Sequence, residues 1–364
     1  MMSKPRCEII FEQSIRSEAT RENYLRCMKK FMQFVGVDNL EELLQGDQKA
    51  IQEKVEDYVI HLKGRVSPNS FGVQLAPIFL FYALNDVVLN KTKIKKMCPS
   101  KIKVGGFNAY SRTDIQFMLD NTRKKRTKAI VMIFSSTGCR VGGLIGLKVG
   151  DILDVEKNAQ SKCLRFYTNE KEEYYGFLTP EATRMVYEYL EERQNNGERI
   201  TDDSPVISLY ENYGHNIRRV SKNATRLAVS NSIQTIFRNH PKKRGMNGRY
   251  LIPTTHGFRK YFNRTMKMRE GVNLSVCEKL LGHSTTIKLD NSYLPVSKDE
   301  LFLEFEKAIP ELTIRADERH ALRIADLEKE KQSHEDKTIQ NKLLQEELEV
   351  VKLKIERIEN SKNV

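Results

Sequence analysis

The sequence lacks the marks of several large protein classes. A membrane-spanning helix needs roughly 18–20 consecutive apolar residues, and the longest apolar runs here, such as Ile78 to Leu84 and Ala129 to Phe134, are far shorter. The opening Met1-Met2-Ser3-Lys4-Pro5-Arg6 has no apolar h-region of a secretory leader, so neither membrane insertion nor export is expected and a cytoplasmic protein is. Six cysteines stand at positions 7, 27, 98, 139, 163 and 277, with no C-x-x-C pair among them. Disulfide frameworks and zinc clusters need short, set spacings, so free thiols in a reducing compartment are the expectation. The seven histidines include no H-E-x-x-H, and there is no G-x-x-x-x-G-K-[ST] phosphate loop. Metalloprotease and P-loop nucleotidase chemistry are therefore disfavoured.

What is abundant is positive charge. The 364 residues carry 61 Lys/Arg against 48 Asp/Glu, a formal net charge of +13. The charge is unevenly placed: residues 311–364 hold 11 basic and 13 acidic residues, so residues 1–310 carry +15. A body this basic attracts polyanions, and counterion release from DNA supplies much of the affinity of such a protein for nucleic acid. A merely soluble basic protein has the same charge sum, so the balance by itself does not choose.

The first hundred residues read as helical. Tyr24, Cys27, Met28, Phe31 and Phe34 recur at helical steps over Arg21 to Val35, with Thr20 as the expected cap and Gly36 as the stop. Gln48 to Leu62 has a second apolar face, and Asn69 to Leu84 a third segment in which Pro77 predicts a kink. Six lysines between Lys91 and Lys103, followed by Gly105-Gly106, read as a basic, flexible connection between domains. Further helices are expected at Ser111 to Arg123, Arg126 to Ser136, from Thr179-Pro180, at Ala224 to Asn239, at His256 to Arg269 and on either side of Gly282. Leu164 to Thr168 and Tyr174 to Thr179, rich in aromatic and β-branched residues around a polar run, predict a hairpin. The fold class is thus mainly α, with an α+β second domain holding one small antiparallel sheet. From Glu311 on there is neither Pro nor Gly, and Leu344, Leu348, Val351, Ile355 and Ile358 follow 4-3-4-3 spacing. That seam predicts a C-terminal coiled-coil helix, with a lone solvated helix as the alternative.

Three clusters hold side chains suited to a phosphodiester. In Thr254-Thr255-His256-Gly257-Phe258-Arg259, a helix starting near His256 offers free N–H groups and sets His256 and Arg259 three residues apart on one face. In Thr137-Gly138-Cys139-Arg140-Val141-Gly142-Gly143, one helix ends and another begins beside Arg140, and glycines 142, 143 and 146 imply close backbone approach. In Leu280-Leu281-Gly282-His283, Gly282 is a natural helix stop that leaves His283 in the turn, with Tyr293 ten residues on. Taken singly, each cluster has a bland alternative: a capping His, a packed helix junction with a structural salt bridge, a turn His and one Tyr among 14.

Their order resembles the tyrosine recombinase (phage integrase) family: Arg, a hairpin Lys, H-x-x-R, L-G-H, then Tyr. The resemblance covers roughly residues 10–310 and leaves the tail outside. It implies a helical DNA-clamping domain with basic linker at 1–104, a catalytic domain at 105–310 and the coiled-coil helix at 311–364. It implies site-specific DNA recombination or integration, as by a virus or mobile element, without metal or ATP. Tyr293 would be the nucleophile that forms a 3′-phosphotyrosine. Arg140 and Arg259 would grip the non-bridging phosphate oxygens, His256 would accept the tyrosine proton, His283 would bond a phosphate oxygen, and Lys171 would protonate the departing 5′-oxygen. The implied partners are double-stranded DNA and three further copies in a homotetramer, with the tail adding self-association.

Two departures stand out. Gly143 occupies the place where the family commonly has an acidic residue, and the hairpin lacks the usual Gly-Lys-Gly tip. Lys171 lies among acidic neighbours, so a surface role for it and Lys162 as its substitute stay open, and Tyr261 is the other tyrosine near the boxes. A type IB-like topoisomerase uses a similar residue set, and an architectural DNA-binding protein would need only the clamp and the tail.

Overall fold

The computed structural model describes residues 4–102, 108–209, 222–238, 240–245, 248, 250–283 and 296–362, without the side chains of 329–330, 333–334, 350 and 353–362. The chain divides into two compact units, residues 1–104 and 105–364.

The first unit is built from helices α1 (Arg6–Gln13), α2 (Glu18–Val35), α3 (Gln48–Leu62), α4 (Phe71–Leu84) and α5 (Lys91–Met97). Helix α2 begins earlier than the apolar spacing suggests, at an Ser17 N-cap, and Thr20 lies inside it. Gly36 stops it in the left-handed conformation, φ 80°. Asp47 caps α3 by accepting from the Ala50 N–H. Pro77 sits inside α4, whose helical assignment runs through it unbroken. The rings of Phe11, Phe31, Tyr58, Phe81 and Tyr82 fill the core, and the Tyr82 hydroxyl donates to the Leu43 carbonyl at 3.1 Å. The basic segment expected as a flexible connection starts as a helix instead. Asn90 caps α5 by accepting from Lys93 N, and Ile94 is fully buried against the rest of the unit. Ile94, with Met97 and Cys98 packed against the same core, anchors it, a signal that composition averages away.

The second unit is organised around α7 (Lys125–Thr137), in which Ala129 to Phe134 are all fully buried. Such a helix is hydrophobic on every side because it is covered on every side. The covering elements are α6 (Arg112–Asp120), α9 (Pro180–Asn195), α11 (His256–Met268) and a three-stranded antiparallel sheet. The sheet runs β1 (Ile152–Asp154), β2 (Lys162–Phe166) and β3 (Tyr174–Leu178), with Leu164 opposite Gly176. The hairpin is present, but its first strand ends at Phe166, because Tyr167 and Asn169 take positive φ (56° and 63°) and turn the chain. A capping box at Ser111 and Asp114 starts α6, and Thr179 caps α9 ahead of Pro180. The remaining helices are α8 (Val141–Gly146), α10 (Arg226–Ile236), α12 (Leu274–Leu280), α13 (Lys298–Glu306), α14 (Ile309–Leu312) and the long α15 (Ala316–Lys362). The architecture is mainly helical with one small antiparallel sheet. All six thiols are free, and five are buried. Among the described residues no helix is long and apolar enough to cross a membrane.

Among the described residues Arg193 is the largest fully buried side chain. It donates to both Glu198 carboxylate oxygens (2.9 and 2.5 Å) and to the Pro205 and Val206 carbonyls (2.7 and 3.2 Å), which pins the loop after α9. Removing one partner of a buried pair leaves the other charge uncompensated, so Arg193→Leu is expected to cost about 3–5 kcal/mol in chemical unfolding. Arg184→Ala, at the half-exposed pair with Glu318, is expected to cost under about 1 kcal/mol.

Candidate active site

Three helix ends build the site. Helix α7 stops at Gly138 (φ 60°), whose N–H bonds back to Phe134 O, and a Cβ there would lie 2.8 Å from the Phe262 ring. The chain then passes buried Cys139 and presents exposed Arg140 at the N-cap position of α8. Burial pushes the Cys139 thiol up to about 12, which makes it a poor nucleophile. Helix α12 ends in a Schellman arrangement: Gly282 N bonds to Lys279 O and His283 N to Glu278 O. Gly282 has φ 60°, and a Cβ on it would sit 2.5 Å from the Tyr174 ring, so the position admits only glycine without rearrangement. Helix α11 starts at His256, with Thr255 before it in an α-helical conformation that makes no side-chain cap.

Arg259 ties these ends together. Only 7% exposed, it donates through Nη1 to the Gly138 carbonyl (2.8 Å) and through Nη2 to the Leu281 carbonyl (2.6 Å). Arg140 Nη1 donates to the next carbonyl, that of Gly282, at 3.0 Å. The H-x-x-R, T-G-C-R and L-G-H segments, more than a hundred residues apart at their extremes, thus meet through backbone oxygens. A guanidinium has five donors, and the named contacts take one of Arg140's and two of Arg259's. Burial, and then the charge of Arg140, pull the Arg259 pKa down, although a guanidinium stays protonated.

His256 lies within electrostatic reach of both guanidiniums. Partial desolvation, then the charges of Arg259, Lys260 and Arg140, hold its pKa below the ordinary histidine value. The imidazole is therefore neutral at neutral pH and able to accept a proton. His283 is half-buried, with Nδ1 2.6 Å from Glu278 Oε2. Burial opposes ionisation of Glu278, but its bonds with Lys267 and His283 prevail and hold the carboxyl below its usual range. Glu278 thus fixes the ring so that the other nitrogen faces away from it.

Lys171 is exposed in the β2–β3 turn, where the Asn169 N–H donates to Glu173 at 2.8 Å. It lines a cleft of about 520 Å³ together with Tyr174, Lys279, Gly282 and His283. Lys162, the substitute, is bound to Asp154 at 2.5 Å and lies outside that group. Tyr261 is buried, and its hydroxyl donates to Glu311 O at 3.2 Å. Tyr293 lies outside the described residues.

Gly143 is tightly packed: a Cβ there would approach the Phe166 ring at 3.1 Å, so any side chain needs that ring to give way slightly. Gly142 is similarly close to the Tyr167 hydroxyl (3.0 Å), whereas Gly146 has no neighbour within 4 Å and is not a packing glycine. Arg140 is oriented by its bond to the Gly282 carbonyl.

Sequence reasoning overlooked four contributors. Glu278 holds His283, and the Tyr174 ring packs against Gly282. Arg226, the first residue of α10, comes near Gly142 and acts with Arg140 on the Tyr167 hydroxyl. Lys242 lies over the rings of Tyr110, Phe237 and Tyr250 (4.9, 4.5 and 5.8 Å) and donates to the Tyr110 hydroxyl. Burial pulls its pKa down to about 8. Tyr110 in turn presses on Gly257, where a Cβ would lie 2.6 Å from its ring, and donates to Thr254 O. Only Glu278 had a sequence signal, a carboxylate five residues before the L-G-H histidine. Among the described residues no group of three or more His, Cys, Asp or Glu side chains could hold a metal ion.

A buried guanidinium strung between helix-end carbonyls, a second guanidinium and two imidazoles gather on one mainly helical domain, with a hairpin lysine in the cleft beside His283. Residues 111–300 match the model of the phage integrase family. The chain belongs to the phage integrase family. Transposase A from transposon Tn554 of Staphylococcus aureus is 23% identical over 233 residues, which span 60% of this chain and 57% of the transposase. The matched region thus spans somewhat over half the length of that curated relative. Among solved structures, a lambda integrase (75–356) dimer bound to a COC′ core site has a TM-score of 0.54 at 14% identity, covering 78% of this chain and 94% of that one. The Tn1549 transposon integrase in complex with a circular intermediate DNA gives 0.53 at 15% identity, covering 84% and 99%. At these identities the likeness is one of fold.

Gly282→Ala is expected to lower stability by about 1–3 kcal/mol, since it adds left-handed strain and a clash with Tyr174. Thermal or urea unfolding checks this. A neutral effect would mean that Tyr174 moves aside freely.

Proposed function

We propose that this chain is a site-specific DNA recombinase that cuts and rejoins strands through a covalent 3′-phosphotyrosine at Tyr293. The observation that carries the reading is the convergence of Arg140 and Arg259 on the carbonyls of Gly282, Gly138 and Leu281, with His256 within electrostatic reach of both. Arg140 and Arg259 bind the non-bridging oxygens of the scissile phosphate, where planar bidentate donors do best. The same donors stabilise the charge that builds in the five-coordinate transition state. An unperturbed tyrosine has a pKa of about 10, so attack needs a proton acceptor, and neutral His256 fills that role. His283, whose Nδ1–H is held by the Glu278 carboxylate, donates through Nε2 to a phosphate oxygen when the ring carries both protons. Lys171 gives its proton to the departing 5′-oxygen, and the freed 5′-hydroxyl of a partner strand reverses the attack to complete exchange.

The partner is double-stranded DNA, drawn by the +15 charge of residues 1–310 and gripped by the helical unit 1–104 and the catalytic domain 105–310. Four protomers act on two sites in the cytoplasm, where the DNA is, and the C-terminal helix adds self-association. The guanidiniums supply the charge neutralisation that a divalent metal supplies in many nucleases.

A nicked duplex carrying the attachment site, which traps the intermediate, tests the chemistry. A covalent protein–DNA band should form, survive chelator and vanish in Tyr293→Phe. Its persistence in that variant would sink the assignment, and plasmid relaxation without exchange between two sites would make the protein a topoisomerase.

The depressed His256 pKa also predicts a pH dependence. Activity should hold at neutral pH and fall on acidification through a value below the ordinary histidine pKa of about 6.5, as the imidazole takes up a proton. The acid limb should disappear in His256→Asn, measured as residual cleavage against pH. An unchanged limb would remove His256 as the acceptor.

A further inference from the structure

Among the described residues, the contacts of the long helix α15 with the rest of the domain lie at its base. The buried Glu181 carboxylate accepts from Ile314 N (2.7 Å) and Arg315 N (3.2 Å), Arg184 pairs with Glu318 at 2.5 Å, and Leu322 packs on the core. Further along, Leu344, Leu348 and Val351 are 51–57% exposed. Burying such a row stabilises at roughly 25 cal/mol per Å² of apolar surface, none of which a lone helix in water gains. In the heptad register set by this row, Asn341, Leu348 and Ile355 take position a, and Leu344, Val351 and Ile358 take position d. Glu347 and Lys354 then fall at g, and Lys352 and Glu359 at e.

We infer that residues 341–362 pair with the same segment of a second copy of this chain as a parallel, in-register, two-stranded coiled coil. The inference deepens the proposal that the tail self-associates, and it is independent of the recombination chemistry.

Charge and one polar residue choose the orientation. In a parallel pair, each g residue faces the e residue of the following heptad across the seam. Glu347 then meets Lys352 of the second copy, and Lys354 meets Glu359, so every charged g–e contact joins opposite signs. An antiparallel pair with the same seam aligned sets Glu347 against Lys354, but Lys352 against the neutral Gln345. It also buries Asn341 against Ile358, an amide without a partner, which costs about 1–3 kcal/mol. In the parallel pair Asn341 faces Asn341 of the second copy, and the two amides bond to each other. A slip of one heptad would oppose Asn341 to Leu348, so this residue also fixes the register.

The orientation has a consequence for assembly. Parallel tails leave both bodies at the same end of the coil, so two protomers are held as a two-fold pair and a tetramer forms from two such pairs. Between Leu322 and Asn341 the helix, polar over residues 328–338, is a spacer of roughly 28 Å at 1.5 Å per residue. Tethering of this kind raises the effective concentration of the second active unit at a site already holding the first.

Sedimentation equilibrium of the full chain over a concentration series tests the inference, with the wild type, Glu347→Lys, Lys352→Glu and the double variant. Each single change should weaken dimerisation several-fold, and the double variant should recover most of the loss. As a second reading, Leu344→Cys should form an interchain disulfide, unlike the wild type or Glu346→Cys on the outer face. Weakening by Glu347→Lys with no effect of Lys352→Glu, and no Leu344→Cys crosslink, would mean antiparallel pairing and overturn the inference while sparing tail association. A wild-type chain that stays monomeric throughout would overturn both. Strand-exchange assays read the catalytic proposal separately.

Discussion

The buried guanidinium of Arg259 holds the site in register. Removing a cation from water costs several kcal/mol even after relaxation, and the carbonyls of Gly138 and Leu281 offset that cost. They can do so because both belong to helix ends, whose last carbonyls lack partners within the helix. Two left-handed glycines, Gly138 and Gly282, turn the chain at these points. The fold thus satisfies the loose ends of α7 and α12 with one side chain from α11, and in doing so brings three distant segments to one place.

The same arrangement stores electrostatic tension. Arg140, Arg259 and Lys260 all act on His256 to disfavour its protonation, and Arg140 disfavours the charge on Arg259. An anion placed among them relieves that repulsion, and the donors need little reorganisation to receive it, which is the condition under which fixed dipoles and charges contribute most to catalysis. Packing beneath the cluster keeps it rigid. Gly257 lies under the Tyr110 ring, Gly138 under Phe262 and Gly282 against Tyr174, so each backbone segment is held by an aromatic face.

Much of this was legible in the sequence because it is local. Helical spacing located α3 to the residue and found α11 within one, and the polar run between aromatic strands marked the hairpin. Gly282 as a helix stop followed from its left-handed tolerance alone. What escaped notice depends on long-range contacts. Ile94 made a helix of a lysine-rich connection by burying itself, and the role of Glu278 appears only once the α12 turn folds His283 back onto it. Position 143, where the family commonly has an acidic residue, holds a glycine packed close to the Phe166 ring, and the carbonyl that orients Arg140, that of Gly282, is remote in sequence. Sequence left the hairpin lysine open between 171 and 162; Lys162 is paired with Asp154, and Lys171 lines the cleft beside His283.

The central claim is that these cations converge on one phosphorus atom. A crystal structure of the chain with a nicked attachment-site duplex and orthovanadate, which mimics five-coordinate phosphorus, measures this directly. The account predicts vanadate bonded to the Tyr293 oxygen, with Arg140, Arg259, His256 and His283 all within hydrogen-bond distance of its oxygens. Vanadate held elsewhere, or bound with Arg140 and Arg259 still engaged only by the carbonyls of Gly282, Gly138 and Leu281, would contradict it.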